Sequence, residues 1–549
     1  MARRPLDLDV AVVGAGFAGL YLLHRLRGLG LRTRVFEQGA DVGGTWFWNR
    51  YPGARCDIES VDYCYSFSDE LLAGWTWTER YATQPEILRY LHHVADRFDL
   101  RRDIQCRTKV TSARYDEPGN RWLVSTDAGE VISARYCVMA VGCLSSVKHP
   151  DVAGLESFRG EWHHTARWPA DGVDFSGRRV GIVGTGSTAI QALPQIAKRA
   201  DRVHVFQRTP NYSMPARNRP LPAGELREIL RGYRERRRAA QRSDAGVPVA
   251  PPQRSALEVT PQERQRMYER GWRRGGINAL SYAFTDFFTD ERANFTAQEF
   301  AREKIRQTVR DPAVAKALCP AHHIGTKRTC VDIGYFETYN CDHVRLVEVR
   351  TSPITTVTPH GLATTAGEYG LDVIVFAVGF DAITGALLGM DIRGRDGESL
   401  ARKWSQGPRT YLGLCVSGFP NLFMITGPGS PSVLSNMVVS IEQHVDWITE
   451  CLAYLEGRGL DRIEASAGAE EAWGRHVSER ADATLYPRAT SWYTGANIPG
   501  KPRVFMPYVA GCGTYRRECD EVTGSGYRGF ILGNGDGRTP GMAAPPVRL

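Results

Sequence analysis

Two stretches far apart in this chain, DVAVVGAGFAGLYLLHRL from Asp9 and RRVGIVGTGSTAIQALPQI from Arg178, repeat one plan. An apolar run (Val10 to Val13; Val180 to Val183) meets small residues at Gly14, Gly16 and Gly19, or at Gly184, Gly186 and Ala189, and apolar residues at helical spacing follow. Strand, tight turn and helix in that order make a dinucleotide cradle. The first glycine permits the turn, the second lets backbone approach a pyrophosphate, the third position lets helix pack on strand, and the helix N-terminal amides face the anion. Two copies predict an α/β protein with two Rossmann-like dinucleotide-binding domains.

The copies differ where their next strands end. RTRVFE ends at Glu37, 21 residues after Gly16, where a carboxylate accepts hydrogen bonds from a ribose. RVHVFQR places Gln207 at the same distance from Gly186, with Arg208 next. A carboxylate there would repel a 2′-phosphate, whereas a guanidinium pairs with it through forked hydrogen bonds. The second cradle therefore reads as a site for NADPH rather than NADH.

The rest of the composition narrows the class. At 549 residues the chain exceeds one core and should fold as two or three domains. Its 12 cysteines include no CxxC pair, which opposes a zinc site and a redox dithiol, and no metal is expected. No apolar run is long enough to span a membrane and the N-terminus lacks the apolar middle of a secretory signal, so a cytoplasmic protein is expected. The net charge of +8 is concentrated in RGYRERRRAAQR (Arg231 to Arg242), but Glu225, Glu228 and Glu235 interleave with it. That helix reads as a solvated face rather than a nucleic-acid or lipid surface. Thr260, Pro261 and Glu263 mark a helix start, and SDAGVPVAPPQ (Ser243 to Gln253) reads as an exposed loop.

FRGEWHHTARWP, between the two cradles, follows neither a helical nor a strand period. Its spacing is Phe158-x-Gly160-x-x-x-His164-x-x-x-Trp168-Pro169. With GGTWFWNRYPGARCDIES (Gly43 to Ser60), GTKR (Gly325 to Arg328), AVGFDAITG (Ala377 to Gly385), GPGSPSVLSNM and SWYTGANIPGKPRVFM, it resembles the type I Baeyer–Villiger monooxygenases, nearest the phenylacetone and steroid monooxygenase branch. The resemblance covers nearly the whole chain. It implies FAD in the first cradle, NADPH/NADP+ in the second and O2 as co-substrate. The reduced flavin then carries a C4a-peroxide that attacks a ketone to give an ester or lactone plus water, with sulfoxidation as a side activity. The partner expected is a small-molecule ketone, without nucleic acid or membrane, and the protein a monomer or weak oligomer.

The implied map is an FAD-binding domain from 1–145 and 381–533, a linker with the fingerprint at 146–176, an NADP-binding domain from 177–214 and 324–380, a helical insertion at 215–323 and a disordered tail at 534–549. Arg328 matches the family's catalytic arginine and Asp57 the acid that orients it. Arginine suits the task because it stays protonated beside a negative oxygen in a dry site. Glu37, Thr45, Trp46, Asp57, Tyr63, Val110 and Met437 match flavin-contacting positions. Thr188, Gln191, Arg208, Thr209, Lys327, Arg328 and Trp492 match positions around NADPH, with Arg208 and Lys327 sharing the 2′-phosphate and Trp492 on a mobile loop. His164 is expected away from the reacting atoms, coupling domain rotation to coenzyme binding. The chain departs from its relatives at Val141 and Val378, and at Cys143, where the phenylacetone branch has a longer polar side chain.

Two other readings share the nucleotide turns. A flavin-dependent N- or S-monooxygenase would not be expected to carry the whole fingerprint or the Arg328 match. A non-catalytic FAD/NADP-binding redox sensor predicts loss of Arg328, Asp57 or the Trp492 loop, and all three are present.

Overall fold

The computed structural model of the protein describes residues 6–534, so all but the first residue of the expected tail lies outside the described residues. Leu8–Val13 is an inner strand of an eight-stranded sheet, paired in parallel with Thr33–Phe36 on one side and Val131–Met139 on the other. Val10, Ala11 and Val12 are wholly buried, as strands of a sheet covered on both faces require. Helix Phe17–Gly28 follows the first turn and buries Leu20, Leu22, Leu23 and Leu26.

The second sheet has five strands, parallel throughout, in the order Val344–Glu348, Arg202–Gln207, Arg179–Val183, Val373–Phe376 and Glu161–His164. The last of these corrects the sequence reading. FRGEWHHTARWP is not without strand structure: four of its residues form an edge strand of this sheet, so the fingerprint is stitched to the second unit rather than being linker throughout. An edge strand with one neighbour needs no apolar alternation, and here Glu161 and Trp162 are exposed while only His164 is buried.

Helices Ala223–Arg231, Tyr233–Arg242, Pro261–Arg274, Glu291–Thr308 and Pro312–Leu318 fill the expected insertion. Thr260 accepts from the Glu263 N–H, as its spacing predicts. The basic helix is not simply solvated. Arg236 forks onto Asp62 at 2.7 Å through two nitrogens, and Arg237, almost fully buried, donates to Glu442 at 2.6 Å. Charge interleaving along one helix says nothing about carboxylates on other elements, and two of those arginines anchor the insertion to the first unit. Nor is the 243–253 loop fully exposed: Gly246 and Val247 are buried, and Ala245 accepts from the Asn436 N–H at 2.8 Å.

After Phe380 the chain returns to the first unit. Strand Leu422–Met424 pairs with Val131–Met139, and helix Met437–Glu456 lies on helix Phe17–Gly28, where Tyr21 donates to Asp446 at 2.7 Å. No helix among the described residues is long and apolar enough to cross a membrane.

Candidate active site

The strand ends of both sheets open onto one cavity of about 1710 Å³, lined at Gly14 and Glu37 from the first sheet and at Gly184 and Arg208 from the second. Carboxyl ends of parallel strands are where such folds bind ligands. The turns are tight enough to demand glycine. Gly14 and Gly184 have φ of +105° and +122°, and a Cβ on them would lie 2.6 Å from the Ala140 carbonyl oxygen and 2.4 Å from that of Ala377. Gly186 differs: a Cβ there would meet nothing within 4 Å, so no packing excludes a side chain and the space belongs to the cavity.

On the first unit's side, Thr45, Trp46, Asp57, Tyr63, Val110 and Met437 all line the cavity, and Trp46 Nε1 donates to Tyr63 Oη at 3.3 Å. Glu37 is buried and accepts from the Ala15 and Gly39 N–H groups at 2.8 and 2.6 Å. Burial raises its pKa against the pull of those two amides. Its remaining lone pairs are what a ribose would meet.

On the second unit's side, Thr188, Gln191, Arg208, Thr209, Lys327 and Trp492 line the same cavity. Gln207 does not: it is buried and donates to the Ala317 carbonyl at 2.8 Å, leaving Arg208 to face the space. Gln191 accepts from Tyr51 Oη at 2.8 Å and donates to the Arg55 carbonyl at 3.1 Å, which ties the YPGAR turn to helix Ser187–Ala197. Gly53 allows that approach, since a Cβ on it would lie 2.3 Å from the Gln191 carbonyl oxygen. The sequence reading assigned Gln191 to coenzyme and missed this bridge between the units, because both partners lie in loops and helices without a shared period.

The bridge sets Asp57 opposite Arg328. Arg328 Nε and Nη2 donate to the two Asp57 oxygens at 2.9 Å each, and Nη1 donates to the Val433 carbonyl at 2.5 Å. Burial acts against the arginine charge, but the Asp57 carboxylate outweighs it and the pKa stands above the usual arginine value. The guanidinium keeps an N–H on each terminal nitrogen for a ligand, and its side chain retains 23% of its exposure, toward the cavity.

The fingerprint residues divide. Trp168 lines the cavity, with Pro169 next to it, whereas Phe158 packs on the second sheet and a Cβ on Gly160 would lie 2.4 Å from the Asp372 carbonyl oxygen. His164 is buried off the cavity wall, its Nδ1 accepting from the Ala166 N–H at 3.0 Å, and burial lowers its pKa to about 4. A neutral ring follows at neutral pH. Cys143 lines the cavity next to Ser432, at 3.0 Å. All 12 cysteines are free.

Two glycine turns opening on one space, an acceptor placed for a ribose, uncommitted cations at the other end and aromatic walls between them fit two dinucleotides, one of them phosphorylated.

Comparison with known proteins agrees. Residues 11–233 match the family described as pyridine nucleotide-disulphide oxidoreductase. A Baeyer–Villiger monooxygenase of Pseudooceanicola batsensis is 42% identical over 528 residues, covering 96% of each chain. A phenazine N-monooxygenase of Lysobacter antibioticus is 42% identical over 534 residues, 95% of this chain and 97% of that one. Among solved structures, an oxidized steroid monooxygenase bound to NADP superimposes with a TM-score of 0.93 at 53% identity, over 96% of this chain and 99% of that one.

Proposed function

Since this chain belongs to the FAD- and NADPH-dependent Baeyer–Villiger monooxygenases, we propose that it turns an apolar ketone into an ester or lactone with Arg328 as its catalytic cation and Asp57 as the residue that positions it. The observation that carries this reading is the fork between the two side chains where the first and second units meet. Glu37, Thr45, Trp46, Tyr63, Val110 and Met437 would hold FAD, and Thr188, Gln191, Arg208, Thr209, Lys327 and Trp492 the coenzyme. Bound flavin, reduced by NADPH, supplies the activation of O2.

The protein's own share is electrostatic. Asp57 engages Nε and one edge of the guanidinium, Val433 a second edge, and the free N–H groups are left for oxygen as negative charge develops on it. Held there, the cation needs no reorganisation when that charge appears. Dryness matters equally, because water would screen the pair. Val433, Met437, Ile383, Tyr493 and Met506 make an apolar cluster beside Arg328, with Trp492 packed against it. That cluster, and the likeness to a steroid monooxygenase, support a ketone with a sizeable apolar body. Nitrogen oxygenation is the second reading, favoured by the phenazine N-monooxygenase at equal identity to the Baeyer–Villiger relative.

Replacing Arg328 by Ala should leave flavin content and hydride transfer from NADPH intact while ester formation falls at least ~10³-fold, more than a single oxyanion donor usually accounts for. Product analysis by mass spectrometry over linear, monocyclic and polycyclic ketones and an aromatic N-heterocycle checks it. Undiminished ester yield from the variant would remove Arg328 from the mechanism, and an N-oxide as the main wild-type product would favour the second reading.

A further inference from the structure

A small cavity of about 250 Å³ opens beside Arg208, and its charged walls are Lys148, Arg208, Lys501 and Arg503 against one carboxylate, Asp151. Lys501 is committed elsewhere, to Asp381 and the Ala382 carbonyl. Lys148, Arg208 and Arg503 form no ion pair among the described residues. Lys148 and Arg208 also line the large cavity, together with Lys327. Like charges gathered around one space, with a single carboxylate near them, favour entry of an anion.

Lys148 belongs to the segment before the fingerprint, yet its backbone is fixed to the second sheet. Val147 bridges to Phe380, and the Lys148 N–H donates to the Gly379 carbonyl at 3.2 Å, just past the end of strand Val373–Phe376. The ammonium therefore keeps its place relative to Arg208. Burial and then the charge of Arg208 hold Lys148 and Lys327 alike below the usual lysine value, Asp151 partly offsetting this for Lys148. Both lysines thus feel the guanidinium from one common space.

We propose that Lys148 is a specificity-determining residue for the phosphorylated coenzyme, a third cation on the 2′-phosphate beside Arg208 and Lys327. This rests on the reading of those two residues as the phosphate's ligands. A phosphomonoester carries a charge of roughly −1.5 to −2 at neutral pH and three acceptor oxygens, more than one guanidinium fork satisfies. The 2′-hydroxyl of NAD+ offers no such charge, so Lys148 contributes to one coenzyme only.

Calorimetric titration of the oxidised, FAD-loaded protein with NADP+ and with NAD+ tests it, using Lys148→Met, Lys148→Arg and Arg208→Ala. Lys148→Met should weaken NADP+ binding about 10-fold or more, the scale of one charge-assisted hydrogen bond, and change NAD+ binding less than about 2-fold. Lys148→Arg should restore most of the loss, and Arg208→Ala should lose NADP+ selectively as well. Equal weakening of both coenzymes by Lys148→Met would make the residue structural and overturn the inference. A selective loss in Arg208→Ala with none in Lys148→Met overturns Lys148 alone. No selective loss in either variant removes the phosphate seat itself.

Discussion

The two glycine turns are near copies in sequence, and the structure treats them in opposite ways. At the first, protein closes in: a Cβ on Gly16 would reach Gly44 Cα at 3.4 Å, and Glu37 behind it already accepts from two backbone amides. The helix is drawn so close to the strand that a Cβ on Gly19 would lie 1.9 Å from the Gly14 carbonyl oxygen. At the second, Gly186 faces open space, Gln207 turns inward, and Arg208 and Lys327 are left uncommitted around the cavity. Shared turn chemistry thus serves two kinds of occupancy. The first builds a wall around a group that stays, and the second leaves a positive, open seat for a coenzyme that must enter, react and leave.

The largest test of that contrast is Gly19→Ala. The obstacle is backbone rather than the end of a flexible side chain, so the helix must move off the strand, at a cost of about 3 kcal/mol or more. The variant should lose bound flavin and unfold at markedly lower temperature, followed by flavin release on heating. Wild-type flavin content and melting temperature would show that the first turn is no tighter than the second.

Gly186→Ala probes the open side. Its φ of −83° suits alanine and no atom obstructs the methyl group, so the fold and flavin content should hold. The methyl group would occupy the space that backbone leaves for a pyrophosphate, and NADP+ affinity should fall about 10-fold, read by titration of the oxidised protein. Unchanged NADP+ affinity would mean that coenzyme does not approach this turn.

Most of this contrast was legible in the sequence because it is local. Glycines at fixed offsets, Glu37 against Gln207, and Arg208 next to it all follow from spacing along one βα unit. The reading failed where partners come from distant segments. Arg237 looks solvated until Glu442, on the returning helix, is placed beside it. Glu161–His164 looks irregular until Val373–Phe376 supplies its only neighbour in the sheet. Lys148 carries no motif, and only the bridge from Val147 to Phe380 shows that it shares a space with Arg208. The Arg328–Asp57 pair was reached through resemblance alone, since the two residues lie in different units and no period links them.

The smallest expected effect falls at the position where the copies differ outright. If the third residue of the turn always had to be glycine for close packing, Ala189→Gly would tighten the second unit and stabilise it. The geometry argues otherwise. Ala189 is 1% exposed, inside helix Ser187–Ala197, in the core cluster that holds Val180 and Ile182 of the neighbouring strand. Its methyl group fills the gap that the first unit closes by bringing backbone to backbone. Glycine there would lose about 1 kcal/mol of helix propensity and a buried methyl worth about 0.8 kcal/mol more. The thermal midpoint should fall slightly, with flavin content and NADP+ affinity unchanged, because the methyl group points into the core and not at the coenzyme. A rise in the midpoint would show that the second helix is held off its strand by that methyl group, and the two turns would then differ only by one strained contact.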